Sequence, residues 1–378
     1  KLAKRLNNIS ESSTFKIAAK AKKMQKEGLD IIDLTIGVLL EDTPYHIKAS
    51  AIEAIHSGFT KYTPIAGCTE VREAVCHKYA NINRLSYSPT EIIVSNGAKQ
   101  SIMNAVFALI NPGDEVIIPT PCWSSYTEIV KLAGGVPVLV KTLVEHNHIL
   151  QDYQLSKAIS KKTKMVIINY PSNPTGASIS INELRALSVV LQNNPNIFII
   201  SDDIYESLQW HPDGINNIVN VLPPLKQRTI LISGVSKCYC MTGWRIGYAA
   251  ADKSIIEAMT KIQSQTTSGP CSISQAAAVE ALMGTQNSIE ELQTKIRKRL
   301  EFVKKEINSF SEFKIYQTQG AFYLWINIAD AIKKLNLKSD IEYCDLLLDK
   351  AHIATTPGTS FYAPNHMRIT LTSTHRLV

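Results

Sequence analysis

The chain has 378 residues, 45% of them hydrophobic, which is enough for a large buried core plus a second, smaller domain and too apolar for a disordered protein. Its 40 basic and 33 acidic residues leave a formal charge of +7. The one local concentration, at Lys16, Lys20, Lys22, Lys23 and Lys26, alternates with alanines as a solvated helix face does, which argues against a nucleic-acid or membrane surface. No apolar run is long enough to span a bilayer, and the start has no secretory apolar core. The seven cysteines are odd in number and show neither disulfide-framework nor zinc-site spacing, which fits a reducing cytoplasm and no metal centre. His146-Asn147-His148 reads as an isolated polar turn.

In chain order, residues 12–27 read as a helix stopped by Gly28, followed by a strand at 30–34. A loop containing Gly37, Asp42 and Pro44 leads to a helix at about 46–57, and the turn-rich segment 61–67 precedes another helix opening at Thr69 or Glu70. From Glu91 the pattern becomes strand and helix in alternation. Short apolar strands are predicted at 92–94, 115–118, 137–140, 165–168, 197–200 and 229–232, and helices at 99–109 and 123–132. Such strands imply a mainly parallel sheet covered on both faces, and ligands in such sheets gather at the strands' carboxyl ends. After about Gln275 come a long charged helix at 289–310, a strand at 321–326, a helix near 341–351, a turn at Pro357-Gly358-Thr359 and a strand at 367–371, a smaller α+β unit.

The chemistry sits at the strand ends. After Ile230-Leu231-Ile232, the uncharged segment 233–247 holds one lysine, Lys237, and one arginine, Arg245. Burial disfavours an ammonium ion, so a lysine held there becomes a nucleophile toward a carbonyl carbon, and an aldehyde cofactor is its natural partner. Pyridoxal phosphate also carries a phosphate that Arg245 can meet with two charge-assisted hydrogen bonds. Alone, the same two residues also suit a lysine reaching solvent and an arginine paired with a surface carboxylate. Ser95-Asn96-Gly97-Ala98-Lys99 lies where a strand becomes a helix, a setting for a phosphate, and lacks the glycine spacings of ATP and NAD sites. Asn173-Pro174-Thr175-Gly176 and Asp202-Asp203-Ile204-Tyr205 each follow a strand. A carboxylate at Asp202 could keep a pyridine nitrogen protonated while Tyr205 and Asn173 hold an oxygen on the same ring.

Read together, these motifs resemble the fold type I, PLP-dependent aminotransferases of class I, and are most similar to the branch of bacterial and archaeal aspartate aminotransferases that includes prephenate aminotransferases. The resemblance covers nearly the whole chain. Its carriers are Lys61-Tyr62-Thr63-Pro64, Asn96-Gly97-Ala98-Lys99-Gln100, Asn173-Pro174-Thr175-Gly176, Ser201-Asp202-Asp203-Ile204-Tyr205-Glu206, Ser236-Lys237, Gly243-Trp244-Arg245-Ile246-Gly247 and Met367-Arg368-Ile369. It implies an α/β fold: a three-layer α/β/α large domain over 46–282 with a mainly parallel sheet, and a smaller α+β domain from 1–45 and 283–378.

The resemblance further implies that Lys237 holds pyridoxal 5'-phosphate covalently and later shuttles the Cα proton, and that Asp202 pairs with the pyridine nitrogen. Tyr205 and Asn173 would hold the ring oxygen, and Trp123 would stack on the ring. Arg245 and the backbone of Gly97, Ala98 and Lys99 would bind the phosphate, joined by Tyr62 from the neighbouring subunit of a homodimer with shared active sites, and Ser236 would be a further cofactor-binding residue. Arg368 would clamp the substrate α-carboxylate, helped by Asn173 and the backbone at Gly37. Lys99 and Thr14 occupy positions that, in this branch, contact the distal carboxylate of dicarboxylic substrates. The implied reaction is ping-pong transfer of the amino group of aspartate to 2-oxoglutarate in the cytoplasm, with no metal, nucleic-acid or membrane partner. Prephenate, aromatic amino acids or alanine as substrates stay open, as do a C–S lyase and a PLP-binding regulator.

Three departures from the family pattern stand out. Cys238 and Cys240 replace small or apolar residues. Val38-Leu39-Leu40-Glu41 replaces an acidic, proline-containing run beside the substrate entrance. The sequence ends soon after Arg368, where relatives continue with a helix.

Overall fold

Strands apolar on both faces need cover on both faces, and this dictates the centre of the molecule. The computed structural model describes residues 2–10 and 13–372, the side chains of 13–16 excepted. After a short β1 (Ile32–Asp33) come β2 (Ile92–Ser95), β3 (Glu115–Thr120), β4 (Val136–Lys141), β5 (Thr163–Ile168), β6 (Phe198–Asp202), β7 (Thr229–Gly234) and β8 (Gly247–Ala250). The last seven form one sheet in the order β2-β8-β7-β6-β5-β3-β4. Neighbours from β4 to β7 are parallel, and β8 alone runs antiparallel, between β7 and β2.

Alternation along each strand divides the core in two. Ile93, Val116, Ile118, Ile167, Ile200 and Ile232 pack with helices Ala98–Leu109 and Lys253–Thr266, while Ile92, Val94, Ile117, Val166, Ile199 and Leu231 face the opposite layer. Each buried Val or Ile of this kind contributes roughly 1.5–3 kcal/mol relative to exposure.

A second, four-stranded antiparallel sheet joins β9 (Lys314–Ile315), β10 (Tyr323–Asn327), β12 (Thr356–Pro357) and β13 (His366–Thr370), while β11 (Ile353–Ala354) pairs in parallel with β1. The amino-terminal segment therefore belongs with the carboxyl-terminal one. Helix Ser13–Lys26 adds to this tie, because Lys20 Nζ lies 3.3 Å from Asp345 and 2.9 Å from Asp349.

The structure adjusts several expectations. The strand predicted at 30–34 shrinks to two residues because the Asp33 carboxylate accepts from the Thr35 backbone N–H (2.9 Å) and hydroxyl (2.6 Å), turning the chain. The helix expected from Trp123 starts at Ser125, and the one expected to reach Phe310 ends at Ile307. The turn at His146-Asn147 forms, with Asn147 left-handed at φ 49°, but His148 is not isolated. It is buried with its ring edge-on to Tyr316, centroids 5.1 Å apart. Among the described residues, no helix is long and apolar enough to cross a membrane.

Candidate active site

The antiparallel insertion of β8 creates the site. Gly247 pairs with Ser95 of β2 on one side and Gly234 of β7 on the other, so the turns after β2 and β7 are held side by side. Only glycine fits there: a Cβ on Gly247 would strike the backbone of Gly97 and Ala98, and one on Gly234 would lie 3.0 Å from Gly247 Cα. The chain leaves β7 through Ser236 and Lys237 and returns through a left-handed Arg245 (φ 58°). Arg245 then donates to Thr242 O (2.9 Å) and Asn96 O (3.3 Å), its guanidinium filling the space a side chain at Gly97 (φ 84°) would need.

Helix Ala98–Leu109 begins at that point with no side-chain cap, so the positive end of its dipole is left beside Arg245. Ala98, Lys99, Trp123, Asn173, Asp202, Tyr205, Ser236, Lys237, Arg245, Arg368 and Gly37 line one cavity of about 330 Å³, the size of a small-molecule site. Four basic side chains and one carboxylate face it, which suits an anionic occupant. Lys99 Nζ stands 4.7 Å from the centroid of the Trp123 ring.

Asp202, the last residue of β6, is buried, and burial holds its carboxyl up to about 6. Against that, Tyr126 donates its hydroxyl to Oδ2 at 2.6 Å and the Ile204 N–H approaches Oδ1 at 3.3 Å, both favouring the charged form. Lys237 Nζ donates to Gly37 O at 2.7 Å rather than reaching solvent. Burial first, then the charges of Arg368 and Arg245, lower its amine to about 8.

Arg368 lies on β13 and is buried. It donates to Asn173 Oδ1 (2.9 Å) and to Thr35 O, and its guanidinium carbon sits 4.4 Å from the Tyr323 ring centroid and 4.9 Å from that of Phe361. The Tyr323 and Tyr205 hydroxyls are hydrogen-bonded at 2.8 Å. A Cβ at Gly37 would lie 2.5 Å from the Tyr323 hydroxyl, which explains a glycine there. Asn169, the first residue after β5, donates to Asp202 O (2.7 Å) and accepts from the Asn173 N–H (3.0 Å), tying two strand-end motifs together.

The structure thus gathers at one cavity every predicted site residue except three. Gly97 forms the floor beneath Arg245, Tyr62 is 100% exposed away from the cavity, and the side chain of Thr14 lies outside the described residues. Sequence reasoning missed Tyr126, Asn169, Thr35, Tyr323 and Phe361. Tyr126 was within reach, since it follows Trp123 by three residues at a strand end.

The donor set fits pyridoxal phosphate. A cradle closed to any Cβ meets a guanidinium and an uncapped helix start for the phosphate; a buried carboxyl suits a ring nitrogen, and a lysine of lowered basicity suits an aldehyde. Site and fold together define an α/β enzyme built around that cofactor and a carboxylate substrate. The family model described as aminotransferase class I and II matches residues 29–377, and the chain belongs to that family of pyridoxal-phosphate enzymes. It is 44% identical to an aspartate/prephenate aminotransferase of Nitrosomonas europaea over 98% of this chain and 94% of the relative. It is 42% identical to an aspartate aminotransferase of Bacillus sp. strain YM-2 over 100% and 96%. Among solved structures, the aspartate aminotransferase of Rhizobium meliloti superposes with a TM-score of 0.96 at 39% identity, covering 100% of this chain and 96% of that one. The Thermus thermophilus aspartate aminotransferase with maleate superposes with a TM-score of 0.94 at 35% identity and the same coverage.

Proposed function

We propose that this chain is a cytoplasmic, homodimeric aspartate aminotransferase that passes the amino group of aspartate to 2-oxoglutarate in two half-reactions. The observation that carries the reading is the convergence of Lys237, Asp202 and Arg368 on one cavity whose far end is closed by Arg245. Pyridoxal phosphate, when bound, supplies a carbonyl carbon for the amino group and a ring that withdraws electrons from the substrate Cα.

The protein does the rest. Lys237, its amine lowered to about 8, is the nucleophile that anchors the aldehyde and, once displaced by substrate, the base that takes the Cα proton onto Nζ and returns it. Asp202 would hold a proton at the ring nitrogen, Tyr205 and Asn173 would hold the ring oxygen, and Trp123 would pack on the ring face. Arg245 and the N–H groups from Gly97 to Lys99 would hold the phosphate, with Ser236 a further cofactor contact, joined by Tyr62 of a second copy; a fully exposed tyrosine is free to play that part. Arg368, whose planar guanidinium lies close to the Tyr323 and Phe361 rings, grips the α-carboxylate with two parallel hydrogen bonds, beside Asn173 and Gly37. Lys99 and the position of Thr14 are assigned to the distal carboxylate, and a dicarboxylic substrate is supported by the maleate named for the Thermus structure. In this reading residues 46–282 are the large, cofactor-binding domain, and 1–45 with 283–378 the small one.

A second activity with a larger, ring-bearing acceptor such as prephenate is favoured by the apolar Ile36 and Val38 in the cavity wall and by the name of the Nitrosomonas relative. The test is a half-reaction screen in which loaded enzyme meets one amino acid at a time and the cofactor absorbance is followed. Aspartate and glutamate should convert the spectrum; a spectrum that aspartate leaves unchanged would overturn the assignment.

A further inference from the structure

Two glutamines far from the reacting atoms, Gln263 and Gln275, are both 0% exposed, and both spend their side-chain amides on the segment that follows Tyr62. Gln275 Nε2 donates to Thr63 Oγ1 and to Pro270 O, each at 2.8 Å, while its Oε1 accepts from the Cys68 N–H at 2.7 Å. Gln263 Nε2 donates to Ile65 O (2.7 Å) and to Val94 O (2.8 Å), and its Oε1 accepts from Asn104 Nδ2 at 2.8 Å. The segment is closed further by Gly67 N–H to Pro64 O (2.9 Å) and Val94 N–H to Ala66 O (2.9 Å). A neutral amide is the one side-chain end that offers two donors and an acceptor without a buried charge, and in each glutamine all three functions are used.

These bonds surround residues 63–68 on both sides, yet the residue they lead to, Tyr62, is 100% exposed. Such investment in a turn whose neighbouring side chain touches only solvent needs a reason. A hydroxyl that must meet a phosphate on another molecule gains most from its contact when its backbone is already ordered, because no ordering cost is then charged against the new bond.

We infer that Gln275 and Gln263 are positioning residues for cofactor binding: they hold the Tyr62 segment in the conformation that carries its hydroxyl to the phosphate in a second copy of the chain. The inference rests on the reading of Tyr62 given above. Gln263 has a double role, since Val94 lies on the strand that runs into the Gly97 cradle and Asn104 lies on the helix that starts there. Gln275 touches only the Tyr62 side, which makes it the cleaner probe.

The experiment titrates the cofactor-free dimer with pyridoxal phosphate and, separately, with pyridoxal, the same aldehyde without the phosphate, following absorbance of the bound aldehyde. Gln275→Met should raise the Kd for pyridoxal phosphate about tenfold and change that for pyridoxal by less than about twofold, a phosphate-specific loss that general loosening of the fold does not produce. Thr63→Val removes the bond from Gln275 Nε2 to the Thr63 hydroxyl, together with that hydroxyl's 3.5 Å contact to Pro64 O, leaves the glutamine's bonds to Pro270 O and the Cys68 N–H in place, and should give the same selective loss even if Gln275→Met folds poorly. Tyr62→Phe should do likewise, and combining it with Thr63→Val should add little. Equal weakening of both aldehydes, or no weakening while Tyr62→Phe shows a selective one, overturns the role of the glutamines. A Tyr62→Phe variant with no selective loss overturns the reading of Tyr62 itself.

Discussion

Tyr126 donates its hydroxyl to Asp202 Oδ2 across 2.6 Å, from a helix on one side of the cavity to the end of the β6 strand on the other. The bond opposes burial, which lifts the Asp202 carboxyl to about 6. The sign follows from proton binding: the folded state holds this proton more tightly than the unfolded chain, so Asp202 destabilises the cofactor-free protein as pH rises from the ordinary carboxyl range through about 6. Asp202→Asn should therefore stabilise the cofactor-free protein at pH 8 by up to roughly 3 kcal/mol, and the gain should vanish below pH 4. Tyr126→Phe should cost about 2 kcal/mol at pH 8, where it loses a bond to a charged acceptor, and about half that at pH 4. Denaturant unfolding of the two variants and their combination at both pH values measures the coupling; a pH-independent coupling would remove Tyr126 as the partner of the charged form.

Lys237 is held the other way. Its folded-state value of about 8 lies below that of a free lysine, so the folded protein releases this proton more readily and gains stability from the group as pH rises from about 8 toward 10.5. The rate at which cofactor-free protein captures pyridoxal phosphate should rise with pH around a midpoint near 8. Arg368→Leu removes a neighbouring positive charge and should move that midpoint upward. Lys237→Ala should abolish the mass increase seen after borohydride treatment of the loaded wild type. A capture midpoint near that of a surface lysine would contradict the electrostatics.

The strands from β2 to β7 were legible because Ile, Val and Leu crowd four to six positions, and the motifs at their ends could be named because each sits where a parallel sheet places ligands. β8 was not legible. Gly247-Tyr248-Ala249-Ala250 has no β-branched residue, and its first position is a glycine because a Cβ there would strike the turn after β2. Thr35 and Tyr323 reach Arg368 from distant parts of the chain and Phe361 from the short helical turn Gly358–Phe361 just before β13, so no regular spacing could announce them. His148 looked like a turn residue because its burial comes from Tyr316 and His366, more than 150 positions away.

Arg368 offers a test that separates charge from shape. Its guanidinium carbon lies close to two aromatic rings, and the group already donates to Asn173 Oδ1. A lysine keeps the charge and loses the fork. Arg368→Lys should lower kcat/KM for every amino acid by about 10²-fold or more, because a planar bidentate contact cannot be replaced by a point charge. Steady-state kinetics with aspartate, glutamate and alanine would check it, and a loss confined to the dicarboxylic substrates would place Arg368 at the distal carboxylate instead.

Lys99 should show that complementary selectivity. Its amine stands over the Trp123 ring in the cavity wall, where burial, then the charge of Arg245, lowers its basicity. Among the described residues no carboxylate is paired with it, so this cation above an indole face is available to a substrate carboxylate. Removing it should leave the α-carboxylate grip proposed for Arg368 intact. Lys99→Ala should therefore cost aspartate and glutamate about 10- to 100-fold in kcat/KM, the worth of one charge-assisted contact, while alanine and aromatic amino acids change by no more than about threefold. The loss should appear mainly in KM if Lys99 binds substrate and transition state alike, and half-reaction rates against substrate concentration separate the two parameters. Equal losses across all substrates would instead assign Lys99 to the phosphate end of the cavity, beside Arg245.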